Sequence, residues 1–383
     1  MRIVDSTRYG CTFSCPRKRY WFTEYKGRGI QLATPSEPLL YGTAVHTGCE
    51  HMAGGMDFVS AYALATMELM KIDPTILTVD GLSHKEELLA LLWGHLRVYA
   101  EYILPNLKER FNFLAVEQEI AIPLDEDITY CTRLDDILDD KKTALNYNLN
   151  YKTSSYVNDL QNDMAHSMQL MMEAEAARLH LGIAAVGTIV IAFDKGRSYG
   201  ASEAEKKRGL TGKRLLSPLT YLYAKGDDPW DVMTKYCTEY KTGWKRVPTF
   251  VPPLSPEIVW NGMLTPGDKQ ALFSELTPIY FDRGMVEDVR IQIVVSERQV
   301  VEMNEKTCFP QNFHNCFQDN GYLHHSCPYT PLCWDDEDPE MLLGGLYEWR
   351  EYNHPQMLLG SLYEWREYNH PLEETVREAK EEV

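Results

Sequence analysis

The spacing of apolar positions along the chain changes character near residue 112. Residues 41–71 carry a helical period in two stretches parted at Gly54-Gly55, with Asp57 the expected N-cap of the second. Ser83 and Glu86 form a capping-box pattern that opens a long amphipathic helix running to about Phe111. Beyond it the period falls to two. Val116, Ile120, Ile122 and Leu124 share one face of a strand over Val116–Leu124. Strands over Ile128–Leu138 and Ala144–Thr153 follow after short polar turns, so the pattern predicts an antiparallel meander. A helix over Val157–Leu181 and a strand over Gly187–Phe193 come next, and Asp194–Ser217 reads as a loop.

The third strand carries the chemical signal. Leu145, Tyr147, Leu149, Tyr151 and Thr153 point one way, and Asn146, Asn148, Asn150 and Lys152 the other. Asparagine is a poor strand former, so three on one face mark a surface that lines something polar. On the neighbouring strand Arg133, Asp135 and Ile137 share a face. A carboxylate on one strand beside an acid-x-Lys on the next can hold a divalent ion. Such an ion polarises a phosphate and acidifies a bound water, which the lysine assists.

Four segments, in order, resemble the RecB-like PD-(D/E)XK nucleases. Tyr41-Gly42-Thr43-Ala44-Val45-His46 resembles their G-x-x-x-H helix, and Thr132-Arg133-Leu134-Asp135 their G-R-I-D strand, with Thr132 replacing glycine. Asn150-Tyr151-Lys152-Thr153 resembles the D/E-x-K-T strand, and Gln169 the glutamine of Q-x-x-x-Y, with Glu173 where tyrosine is expected. The resemblance implies an α/β restriction-endonuclease-like core: a mixed central sheet flanked by helices, with helical additions and a C-terminal iron–sulfur region. It implies Mg²⁺ or Mn²⁺ held by His46, Asp135, residue 150 and the Tyr151 carbonyl. Asp135, Asn150, Lys152 and Gln169 are then the expected catalytic set.

Asn150 is the main departure, because the family has an acid there. Three readings stay open: an engineered knock-out, a natural loss of catalysis, or compensation by a neighbour such as Asp136 or Glu119. Asp139-Asp140-Lys141 also fits acid-x-Lys, but it lies in a turn too close to Asp135 to reach an adjacent strand.

The nine cysteines are odd in number and scattered, which argues against a disulfide framework. Cys15 near the N-terminus, with Cys316, Cys327 and Cys333, resembles the cysteine set of AddB-type nucleases and of the iron–sulfur nuclease of CRISPR adaptation. That likeness implies a structural [4Fe–4S] cluster stapling the chain ends. The ten residues between Cys316 and Cys327 are more than those families usually show. Zinc, with His324 or His325 as substitute ligands, is the alternative metal.

Charge and length change the picture less. The net charge of −18 disfavours nucleic acid, but Trp334–Val383 alone contributes −10. Basic residues that could meet phosphate are Arg17, Lys18 and Arg19, and Lys206, Lys207, Arg208, Lys213 and Arg214 in the 194–217 loop. Within the tail, Met341–Gln356 and Met357–Leu372 match at 14 of 16 positions, a tandem repeat assigned no chemistry. The expected division is an N-terminal segment (1–40), a nuclease core (41–226), an insertion (227–306), the cysteine region (307–334) and the acidic tail (335–383). No apolar run approaches the roughly 18 residues that span a bilayer, and the start lacks the apolar middle of a secretory signal. The expectation is therefore a cytoplasmic protein, encoded by a bacterium, archaeon or phage. Its expected role is a metal-dependent DNA exonuclease acting on ends or single strands. No P-loop is present, so any helicase must be a partner. The rival readings are a catalytically dead DNA-end-binding protein on the same fold, and a zinc-stabilised interaction protein working through its tail.

Overall fold

The structure is a computed structural model that describes residues 2–33, 36–71, 84–155, 157–195, 198–200, 213–215, 257, 260–261, 266–312, 327–334 and 338–350. Its centre is a mixed sheet of six strands flanked by helices. The strands are β1 (Arg2–Val4), then, after the short β2 (Ile30–Leu32), β3 (Phe111–Pro123), β4 (Ile128–Asp140), β5 (Asn146–Ser154) and β6 (Ala185–Asp194). Next come β7 (Ser198–Gly200) and β8 (Lys213–Leu215), and the sixth central strand is β9 (Phe273–Glu275). β10 (Tyr347–Trp349) pairs antiparallel with β2, away from the main sheet.

The predicted meander is present, with β3, β4 and β5 running antiparallel in turn. β6 then lies parallel to β5, which requires the intervening helices to cross over the sheet. β3 pairs with β4 along nearly its whole length, so β1 and β5 must share β4's other edge. β1 takes Ile128–Tyr130 and β5 takes Asp136–Asp139. Between them the sheet forks, and Asp135 sits at the crotch.

The helices are α1 (Ser6–Ser14), α2 (Pro16–Arg19), α3 (Glu37–Ala53), α4 (Phe58–Leu69), α5 (His84–Val98), α6 (Leu104–Arg110), α7 (Val157–Ala165) and α8 (Met168–Ala176). Asp57 caps α4 as expected, accepting from the Val59 and Ser60 amides at 2.9 and 3.1 Å. The long helix expected to reach Phe111 is divided by a π-turn at Tyr99–Ile103. The helix expected over Val157–Leu181 is also divided: Ser167 caps a fresh start, and a hydroxyl in that position competes with the helix ladder. The expected loop at Asp194–Ser217 instead begins and ends in an antiparallel pair, β7 with β8.

Each sheet face has its own core. α3, α4 and α5 cover Leu149, Tyr151, Ile189, Ile191 and Phe193 on one side. α3 and α5 approach closely at Gly48, where a Cβ would lie 2.5 Å from the Leu96 side chain. On the other side α8 and the helix Arg283–Glu305 cover Ile120, Ile122, Tyr130, Leu134 and Ile137. Leu134 and Ile137 belong to one cluster although three residues apart, so the alternation of β4 slips by one between them. Among the described residues no helix is long and apolar enough to cross a membrane.

Candidate metal centre

The slip in β4 is matched on β3 by Glu117, whose φ of 43° is left-handed. Extending the β3–β4 register puts Glu117 opposite Asp135, and extending the β4–β5 register puts Asn150 on Asp135's other side. These three positions form a row across the strands at the fork, with Asn150 one step beyond the last β4–β5 pair, Asp136 with Leu149. A left-handed glutamate is strained, and strain of this kind collects at functional sites.

His46 reaches the row from α3. Its Nδ1 lies 3.1 Å from Asp135 Oδ1. His46, Glu117 and Asp135 each bring a ligand-capable atom within 4.8 Å of the others, and no other trio of His, Cys, Asp or Glu does so among the described residues. Asp135 Oδ2 accepts the Tyr151 amide N–H at 2.8 Å, so the carboxylate takes up a backbone donor freed where the strands part.

The electrostatics follow from burial and neighbours. Burial pushes Asp135 up, but His46 and the Tyr151 N–H outweigh it and hold the carboxyl below its ordinary range. Burial would lower His46, and Asp135 reverses that and raises it. Glu117 is pushed up to about 8 by burial and then by Asp135, against Arg133 and His46. Arg133 Nε stands 2.8 Å from Glu117 Oε2, without the alignment of a hydrogen bond. Beside Glu117 opens a groove of about 430 Å³, lined by Glu50, Glu119 and Arg133 among others.

A second polar chain runs from β5 to α8. Lys152 Nζ donates to Gln169 Oε1 at 3.3 Å, and Gln169 Nε2 donates to Glu173 Oε1 at 2.7 Å. Asn150 Nδ2 donates to Glu173 Oε2 at 3.3 Å. Glu173 is fully buried and pushed up to about 8, by burial first, with Lys152 opposing and Asp135 adding. Asn150 is 1% exposed, and its Oδ1 has no hydrogen-bond partner among the described residues.

The sequence-predicted residues His46, Asp135, Asn150, Tyr151, Lys152 and Gln169 thus come together, and Glu117 and Glu173 join them unpredicted. Of the two expected compensators, Asp136 is taken up by Tyr151, whose hydroxyl it accepts at 2.7 Å. Glu119 pairs in register with Arg133 on the strand and lines the groove rather than the trio. Counting β3–β4 pairs outward from the polar turn would have found Glu117, but a reading that assumed unbroken alternation faced it away.

The other expected sites separate. Cys15, at the α1–α2 junction, is buried, and the Asn312 amide lies 3.3 Å from its Sγ. Cys327 and Cys333 flank Tyr329 and Leu332 in an aromatic cluster with Trp21 and Tyr25. Burial pushes the Cys333 thiol up to about 11, and nearby Cys327 and Cys15 add to the rise. Cys316, His324 and His325 lie outside the described residues, as do Lys206, Lys207 and Arg208. Lys213 and Arg214 are described in backbone only, as part of β8. Arg17 and Lys18 are half-buried. Arg19 is fully buried between Glu24 and Glu297, at 2.9 and 3.0 Å, which removes it from any DNA-facing surface. The first repeat copy supplies β10, and its Tyr347 is buried with the hydroxyl donating to the Pro328 carbonyl at 2.6 Å.

No protein-family model and no curated protein matches this chain.

Proposed function

We propose that this chain is a divalent-metal-dependent DNA nuclease of the PD-(D/E)XK type, acting on DNA ends or single strands. The observation that carries the reading is the row Glu117–Asp135–Asn150 at the fork of the sheet, with His46 above it and Lys152 two residues along β5. The donor set suits Mg²⁺ or Mn²⁺: two carboxylates, an imidazole and an amide oxygen that is buried without a partner. Carboxyls that burial, with Asp135 adding to it, pushes up to about 8 would be relieved by a dication, which makes the site complementary to one. Once bound, the ion would polarise a phosphodiester and acidify a water.

The protein's own groups have separable tasks. Asp135 fixes the imidazole of His46, and His46 Nδ1–H donated to that carboxylate leaves Nε2 its lone pair. The Tyr151 N–H anchors Asp135, and Gln169 holds the Lys152 ammonium near the row. Cys15, Cys327 and Cys333, with Cys316, would hold a [4Fe–4S] cluster of structural role. The −18 charge and Asn150 favour the rival reading, a DNA-end-binding protein without catalysis.

End-labelled single- and double-stranded DNA incubated with Mg²⁺ or Mn²⁺ tests the proposal. We expect degradation that stops with EDTA and with Asp135→Asn. Salt-sensitive DNA binding without cleavage would leave the rival standing, and absence of both would remove DNA from the account.

A further inference from the structure

The acid expected on β5 at position 150 is not simply gone, because a buried carboxylate touches the amide that replaced it. Glu173 stands on α8, and its two oxygens accept from Gln169 and from Asn150. Asn150 then has its amide nitrogen committed to α8, while its Oδ1 is buried without a partner among the described residues, at the position that follows the last β4–β5 pair and adjoins Asp135's. An amide donating to a carboxylate gains electron density on its oxygen, the atom a cation would meet. Burying an acid and an amide oxygen here costs stability unless something draws on both.

We infer that Glu173 supplies the negative charge that position 150 lacks, acting through Asn150 as a positioning residue that turns and polarises its Oδ1 toward a divalent cation held with Asp135. This rests on the metal-site reading above and deepens it. Glu173 itself lies outside the trio within 4.8 Å, so its contribution passes through the amide rather than through the same coordination sphere. Gln169 fixes the other Glu173 oxygen and links it to Lys152, so the charge sits between a lysine and an amide, both held by strand β5.

The pair can be exchanged, which separates this role from packing. Mn²⁺ affinity of the full chain, measured without DNA by electron paramagnetic resonance or calorimetry, is the readout, with a thermal melt for each variant. Outer-shell partners are worth 10–100-fold in metal affinity, so Glu173→Gln should weaken Mn²⁺ by at least about tenfold, and N150D/E173Q should recover to within about threefold. In that double variant donor and acceptor trade places and the net charge is unchanged. Wild-type affinity in Glu173→Gln, or an exchange variant as weak as Glu173→Gln, would overturn the inference. So would Asn150→Asp alone tightening Mn²⁺ by more than about tenfold, since the acid would then be simply absent. Asp135→Asn separates the two levels. If it weakens Mn²⁺ while Glu173→Gln does not, the metal site stands and only the role of Glu173 falls. If Asp135→Asn binds like wild type, both fall.

Discussion

Two clusters of buried charge sit in this protein, and they are built on opposite principles. Near the N-terminus Arg2 and Arg19 face Glu24 and Glu297 with every ion-pair distance between 2.9 and 3.2 Å. Two cations meet two anions, and apart from one oxygen of Glu297 the carboxylates have partners. Burial works against the Glu24 carboxyl, but Arg19 and Arg2 overcome it and hold it at about 2. At the fork of the sheet Asp135, Glu117 and Glu173 outnumber the buried cations. Two of these acids are pushed up to about 8, and an amide oxygen is orphaned. Balanced charge holds elements together, here α2 against the helix Arg283–Glu305, whereas unbalanced buried charge costs stability and needs a ligand to justify it.

The sharpest way to break the comparison is to remove one member of each cluster. Arg19→Met leaves Arg2 as the one cation against Glu24 and Glu297, an uncompensated buried charge that should cost about 3–5 kcal/mol, read by urea unfolding. Asp135→Asn should lose metal binding with little loss of fold. A near-neutral Arg19→Met would deny the N-terminal network its structural role.

The clusters should also pull stability in opposite directions with pH. Glu24 is depressed, so its contribution is present above the ordinary carboxylate range and is lost as pH falls through that range toward about 2. Glu117 is raised, so the folded chain keeps a proton that the unfolded chain has released, and stability falls as pH climbs from the ordinary range toward about 8. Glu117→Gln should therefore raise metal-free stability at pH 8 by about 1–2 kcal/mol and flatten the slope between the two values. Melting temperatures across that window, with and without Mn²⁺, decide the matter. Mn²⁺ should stabilise the wild type more at the alkaline end, and a slope unchanged by the substitution would assign it to another group.

How much of this was legible in the chain follows from what each signal encodes. The meander and the Asp57 cap were readable because alternation, turn spacing and capping are local. His46 was singled out by its spacing from Gly42, and α3 sets it 3.1 Å from Asp135. Glu117 was not, since a single left-handed residue in β3 turns a side chain that period two faces elsewhere. Glu173 was noticed as a missing tyrosine rather than a present acid, because its meaning depends on a contact 23 residues away. Arg19 looked like a surface cation beside Arg17 and Lys18, and only Glu297, 278 residues along, explains its burial. Tyr347 was hidden in a repeat that carried no chemical signal, and its burial rests on β10 pairing with the distant β2.

The smallest effect tests where the site ends. Asp136 adjoins Asp135 in sequence, and burial holds its carboxyl well above the ordinary range, so it resembles a member of the site. Its partners say otherwise: the Tyr151 hydroxyl donates to it at 2.7 Å, and Tyr99 and Tyr151 share a hydrogen bond of 2.8 Å beneath the sheet. Tyr99→Phe removes one hydroxyl from this chain and leaves a smooth aromatic surface, so it should cost about 0.5–1.5 kcal/mol in urea unfolding. Mn²⁺ affinity should stay within about twofold of wild type, because the lost hydroxyl bonds the Tyr151 hydroxyl and none of the proposed side-chain ligands. Should Tyr99→Phe weaken Mn²⁺ as Asp135→Asn does, Asp136 would belong with the unbalanced cluster rather than with this hydroxyl chain.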